Sequence, residues 1–98
     1  MEAESLSRVA IEDIFSSRGR IKILKELAIS KSNELPISEL CRRVGLNHSS
    51  TKSHLKVLIK SGLIEEKTYG TTRTKIYRYK IEDLRARSLR SLFNLWES

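Results

Sequence analysis

The stretch from Ile37 to Ser61 constrains this chain more than any other. Ile37, Leu40, Cys41 and Val44 are apolar at i, i+3, i+4 and i+7, the spacing of one helical face. Ser38 is expected to cap that helix, and Glu39 suits its N-terminus. Gly45 follows at the point where glycine enters the left-handed region cheaply. Leu46 is expected as a buried turn residue. Asn47 is expected to cap a second helix, His48 to Ser61, which Gly62 ends. Two short helices joined by so tight a turn form a helix-turn-helix over residues 38–61.

The second helix is informative for what it leaves outside. With Thr51, Leu55, Leu58 and Ile59 turned to the core, His48, Ser49, Lys52, Ser53 and Lys56 project outward. His54 lies beside the core side and is expected to be half-buried. The outer face carries hydroxyls, an imidazole and two ammonium groups, with no acid and no large apolar side chain. Such groups reach phosphates and base edges in a DNA major groove about 12 Å wide. An ordinary basic amphipathic helix would look the same in isolation. The segment that follows weighs against that reading. Leu63–Thr68 and Lys75–Ile81 read as two strands, the second with Tyr77, Tyr79 and Ile81 alternating with Ile76, Arg78 and Lys80. Between them runs a polar tip, 69–74. Arg73 and Lys75 at this tip make the hairpin, 63–81, a candidate wing on the phosphate backbone or in the minor groove.

The charge is localised in the same region. The chain of 98 residues has a net charge of +7. Between Pro36 and Lys80 there are ten Lys or Arg and three Glu, whereas the remainder holds nine basic and nine acidic residues. A generally basic surface would spread the excess. Confinement to one segment favours a face for a polyanion.

The remaining elements frame this segment. Residues 4–16 and 18–31 read as helices, the second with Ile21, Leu24, Leu27 and Ala28 on one face. Lys31–Glu34 is a polar loop, and proline limits Leu35-Pro36-Ile37 to an edge strand. Residues 83–96 form a last helix with Leu89, Leu92, Phe93 and Trp96 at i, i+3, i+4 and i+7. The expected fold is α+β and mainly helical: a single winged helix-turn-helix domain, 1–98, with a two-stranded wing and terminal dimerisation helices. The terminal helices could complete the chain's own core. A chain this short has little room for so many large apolar groups, so Leu6, Val9, Leu89, Leu92, Phe93 and Trp96 are expected to pack on a second copy.

A family resemblance rests on several runs. They are Gly19-Arg20-Ile21-Lys22-Ile23-Leu24-Lys25-Glu26-Leu27, Ser38-Glu39-Leu40, Leu46-Asn47-His48-Ser49-Ser50-Thr51, His54-Leu55-Lys56-Val57-Leu58 and Ser61-Gly62-Leu63-Ile64. Over about residues 18–81 the chain resembles the ArsR-type winged-helix regulators. The resemblance implies a winged helix, a recognition helix from His48, and a dimer on a two-fold DNA site. Metal-sensing members often carry paired cysteines before the turn. Here Cys41 is the one cysteine, followed by Arg42 and Arg43, so no thiolate-pair metal site is expected. Cys41 is read instead as a small buried core residue. Thr51 stands where many relatives have valine.

Other functions fit less well. No nucleophile–base spacing, glycine-rich phosphate loop or metal motif suggests an enzyme, and no cofactor is expected. A winged helix can also serve as a protein–protein interaction adaptor, but the basic helix argues against that. Single-strand or RNA binding would use exposed aromatic rings, for which Tyr69 is the candidate. No apolar run is long enough to span a membrane. Met1-Glu2-Ala3-Glu4 begins no secretory signal, and a lone thiol suits a reducing compartment, so the chain is expected to be cytoplasmic.

Overall fold

The computed structural model describes residues 9–71 and 73–97. In chain order the elements are α1 (Ile11–Phe15), α2 (Arg18–Ile29), β1 (Glu34–Pro36), α3 (Ile37–Val44), α4 (His48–Ser61), β2 (Ile64–Lys67), β3 (Ile76–Tyr79) and α5 (Leu84–Glu97). Among the described residues, no helix is long and apolar enough to cross a membrane.

The apolar periodicities meet in one buried cluster. Ile23, Leu24 and Leu27 of α2, Leu40 of α3, Leu55 and Leu58 of α4, Ile64 of β2 and Tyr79 of β3 are all essentially inaccessible. Removing such side chains from water supplies the main driving force for this arrangement, about 25 cal/mol per Å² of apolar surface. Tyr79 brings a hydroxyl into the core. It donates to the Ala86 carbonyl at 2.7 Å, which ties β3 to α5 and satisfies the one polar atom of the ring.

Turn chemistry fixes the helix-turn-helix. Gly45 closes α3 at φ 73°, and its N–H donates to the Cys41 carbonyl. The Asn47 side chain accepts from Ser50 N–H at 2.7 Å and so caps α4. Gly62 ends α4 at φ 88°. All three residues act as the sequence suggests. Two details differ. The cap of α3 is Pro36, extended and without a side-chain bond, and the helix starts at Ile37 instead of after Ser38. Proline at the end of an edge strand pre-sets the extended backbone that this position requires. Leu46 is half-buried, not buried, because the turn lies at the surface.

The wing hairpin joins a larger sheet. β3 is central, with β2 and β1 antiparallel on either side. Ile64 pairs with Tyr79 and Lys67 with Ile76, while Leu35 of β1 pairs with Tyr77. The two strands of the wing thus gain a third. Both wing strands are shorter than the ranges read from sequence: Thr68, Lys75 and Ile81 fall outside them, and Leu63 and Lys80 keep one cross-strand bond, from Lys80 N–H to the Leu63 carbonyl at 2.9 Å.

Within the described residues, the helix read over 4–16 is confined to Ile11–Phe15. Ala10 is extended, at φ −77° and ψ 154°, and helix begins at Ile11. The Asp13 carboxylate accepts from Ala10 N–H at 3.0 Å, which fixes that start. Residues 4–8, including Leu6, lie outside the described residues. Cys41 is half-buried, contrary to the core role expected for it. It stands at the edge of the apolar face of α3, whose centre is held by Leu40 and Val44.

Candidate nucleic-acid interface

The exposed face of α4 follows from helix geometry. At about 100° per residue, His48, Ser49, Lys52, Ser53, Lys56 and Lys60 fall within an arc of roughly 140°. All six are exposed, whereas Thr51, Leu55 and Leu58 on the opposite side are buried. Thr51 satisfies its hydroxyl locally by donating to the Asn47 carbonyl at 2.9 Å. This explains how a polar side chain can occupy the core side. The helix dipole and first-turn N–H groups add partial positive charge at His48 and Ser49.

The structure divides the central positive charge into two classes. Five of its cations are engaged by carboxylates. Arg42 and Arg43 bind Glu39 within α3, and Arg43 also approaches Glu26 of α2. Lys67 meets Glu34, Lys75 meets Glu66 at 3.3 Å, and Arg78 bridges Glu65 and Glu82. These contacts have visible electrostatic consequences. Hydrogen bonding from Arg43 holds the Glu39 carboxyl below its ordinary value, against the opposing effect of burial. Hydrogen bonding from Arg78 does the same for Glu82. Among the described residues, no carboxylate lies within ion-pair distance of Lys52, Lys56, Lys60, Arg73 or Lys80. The cations of this segment without an ion pair among the described residues are therefore Lys52, Lys56 and Lys60 on α4, Arg73 at the wing tip and Lys80 just after β3.

Of the residues singled out in the sequence, His48, Ser49, Lys52, Ser53, Lys56, Arg73 and Lys75 are all exposed. Lys75 differs from the others in being paired. Lys60 joins the same face one turn beyond Lys56, a place that helical spacing alone could have assigned to it. Tyr69 is poorly suited to stacking. Its hydroxyl donates to the Glu34 carboxylate at 2.7 Å, and the Lys67 ammonium sits 4.9 Å from its ring centroid. This contact anchors the base of the wing to β1. Glu66 accepts from both Lys75 and Tyr77, and burial, followed by this hydrogen bond, pushes the Tyr77 phenol up to about 12.

His54 is half-buried, as expected, and links α4 to α2. Arg20 Nε donates to its Nδ1 at 3.3 Å, and the same guanidinium donates to the Asp13 carbonyl. A Cβ built on Gly19 would lie 2.6 Å from His54 Nε2, so the ring occupies the space that the glycine leaves.

The second feature is apolar. A groove of about 630 Å³ runs between α1 and α5, lined by Val9, Ile11, Phe15, Leu84, Leu89 and Leu92 among others. Leu84 is 70% exposed and Trp96 81%. Phe93, in contrast, is only 8% exposed and belongs to the chain's own core. Among the described residues, no group of three His, Cys, Asp or Glu is placed to hold a metal ion.

Comparison with known proteins agrees with this geometry. A family model described as "Bacterial regulatory protein, arsR family" matches residues 17–66, from the cap of α2 into β2. A crystal structure of a possible transcriptional regulatory protein (fragment 1–100) from Mycobacterium bovis is similar at a TM-score of 0.64 and 23% identity. The alignment covers 86% of this chain and 83% of that one. A solution NMR structure from the same organism is described as a homodimeric winged helix-turn-helix DNA-binding domain (fragment 1–100) of a possible ArsR-family transcriptional regulator. It is similar at a TM-score of 0.69 and 24% identity, over 98% of this chain and 83% of that one. No curated protein matches. The fold is a winged helix-turn-helix, and the chain belongs to the ArsR family of bacterial regulatory proteins.

Proposed function

We propose that this chain is a transcriptional regulator that reads double-stranded DNA as a homodimer. In this reading α4 enters the major groove and the wing tip rests on the backbone or in the minor groove. The observation that carries it is the exposed arc of α4, where Lys52, Lys56 and Lys60 meet no carboxylate among the described residues while the cations of α3 and the sheet are mostly neutralised within the chain. His48, Ser49, Lys52, Ser53 and Lys56 would contact base edges and phosphates. Arg73 would contact a phosphate or enter the minor groove. Lys75 would do so only by exchanging Glu66 for a phosphate.

The homodimer accounts for the apolar groove. Val9, Leu89 and Leu92 line or border it, and with Trp96 they offer a surface too apolar to face water. Phe93 supports that surface from beneath. The M. bovis domain described as homodimeric shares the fold that places these elements. Paired recognition helices on a two-fold axis would meet half-sites about one DNA turn apart. The expected compartment is the cytoplasm, where such a duplex is found.

Sedimentation of the full chain with and without a mixed-sequence duplex tests the reading. A dimer that co-sediments with the duplex supports it. A monomer, or a dimer that leaves the duplex free, refutes it.

A further inference from the structure

The recognition helix does not rest on apolar packing alone: a side-chain hydrogen bond on its inner flank ties it to α2. His54 lies on the inner flank of α4, one turn from Ser50 and between Lys52 and Lys56 in sequence. Its Nδ1 accepts a hydrogen bond from Arg20 Nε at 3.3 Å. Its other edge fills the space over Gly19, where even a methyl group would come within 2.6 Å. Arg20 is fixed in turn by a second bond, from Nη1 to the Asp13 carbonyl, and its own backbone N–H is held by the Ser17 hydroxyl at 3.2 Å. One guanidinium therefore connects α1, α2 and α4.

We infer that the Arg20–His54 contact, seated over Gly19, is a latch that sets the position of the recognition helix, and that protonation of His54 releases it and weakens sequence discrimination. The inference rests on the proposal that α4 reads DNA.

The chemistry has a definite sign. Nδ1 can accept from Arg20 only while it carries no proton. A proton there removes the acceptor, sets two N–H groups against each other and places an imidazolium beside a guanidinium. Among the described residues, no acid is placed to offset this. The charged group acting on His54 is Arg20. On the elements packed around α4, Glu26 and Glu39 are engaged by Arg43, Glu65 by Arg78, and Glu66 by Lys75 and Tyr77. Asp13 turns its carboxylate to Ala10 N–H and only its carbonyl to Arg20. Lys52 and Lys56 on α4 itself face outward. Burial, assisted by Arg20, lowers the His54 pKa below its ordinary value, consistent with a neutral ring in the closed latch.

A DNA-binding surface ordinarily gains affinity in acid, because each added proton attracts phosphate. The latch predicts the opposite for discrimination. Non-specific binding needs only charge, whereas base readout needs α4 to sit at one angle and depth. Loss of one well-placed base contact costs about tenfold in preference.

The test uses duplexes selected by the wild-type chain from a random pool, with a scrambled duplex as reference. The ratio of the two affinities is measured from mildly alkaline to mildly acidic pH, for the wild type and for the variants side by side, so that the difference between their profiles reports His54 alone. The wild type should lose about tenfold in this ratio as the pH falls. His54→Gln, whose amide oxygen can still accept from Arg20 but does not titrate, should give a flat profile. Arg20→Lys, which keeps the charge but not the Nε–H geometry, should lower the ratio even at alkaline pH. A selective wild type whose ratio does not change with pH, or a His54→Gln chain that retains the wild-type fall, overturns the latch alone. A wild type that selects no duplex at any pH overturns the DNA-reading proposal and the latch with it.

Discussion

Asn33 shows how much a single side chain can do in a segment that reads only as a polar loop. It adopts φ 61°, the left-handed region, and its Nδ2 donates to the Ala28 carbonyl at 2.8 Å and to the Leu27 carbonyl at 3.2 Å. These bonds satisfy the open end of α2, while the Asn33 carbonyl accepts from Tyr79 N–H at 2.8 Å. Asn33→Ala removes the side-chain bonds and leaves a residue that tolerates this backbone poorly. It should destabilise the chain by about 2 kcal/mol in denaturant unfolding, and Asn33→Gly by less. His54 gives a second test at this scale. Its folded pKa lies below its ordinary 6.5, so in the window between the two values the unfolded chain binds more protons than the folded one. Stability should therefore fall as the pH drops through 6.5 and level off below the folded value. His54→Gln should remove that part of the pH dependence. Such residue-scale roles are only partly legible in the sequence. Gly45, Asn47 and Gly62 can be read because their work is local. Asn33, Gly19 and Arg20 cannot, because their partners come from other elements. Cys41 departs from its expected burial because an apolar position in a pattern does not tell which side of it the neighbours cover.

At the scale of elements, α4 is held by its ends and by one flank. The Asn47 cap bonds only to its own helix, so Asn47→Ala should cost about 1 kcal/mol without moving the exposed face. Equilibrium unfolding measures the loss, and unchanged circular dichroism of the native state would confirm that the helix persists. The far end is tied down differently. Arg85 Nη2 donates to the Ser61 carbonyl at 3.0 Å, so α5 helps to close α4. Helices and their limits are largely legible, since periodicity, caps and glycines act within a few residues. The sheet is less so. β1 pairs with β3 across a long stretch of intervening chain, and nothing in three residues of edge strand announces that partner. The wing therefore looks two-stranded in sequence. Its ion pairs are equally hidden, which is why Lys75 seems as available there as Arg73.

At the scale of the molecule, two surfaces stand out among the described residues: a cationic arc on α4 and an apolar groove between α1 and α5. Leu84→Glu with Leu92→Glu places charge on exposed positions of that groove. Sedimentation should shift from dimer to monomer with circular dichroism unchanged. A doubly substituted chain that still sediments as the wild type would show that the groove is not the homodimer contact. The outer face of α4 is legible without coordinates, because removing the core positions leaves it by subtraction. The distinction between engaged and available cations is not, because it depends on where distant carboxylates fall.

The central claim is that the available cations of α4 meet DNA phosphates or the base edges beside them. Duplex affinity measured at several salt concentrations, for the wild type and for Lys52→Ala with Lys56→Ala, tests it most directly. The account predicts a steep log–log decline for the wild type, and a slope shallower by about 0.9 for each phosphate that the variant no longer neutralises. Affinity independent of salt, or a variant with the wild-type slope and affinity, would contradict it.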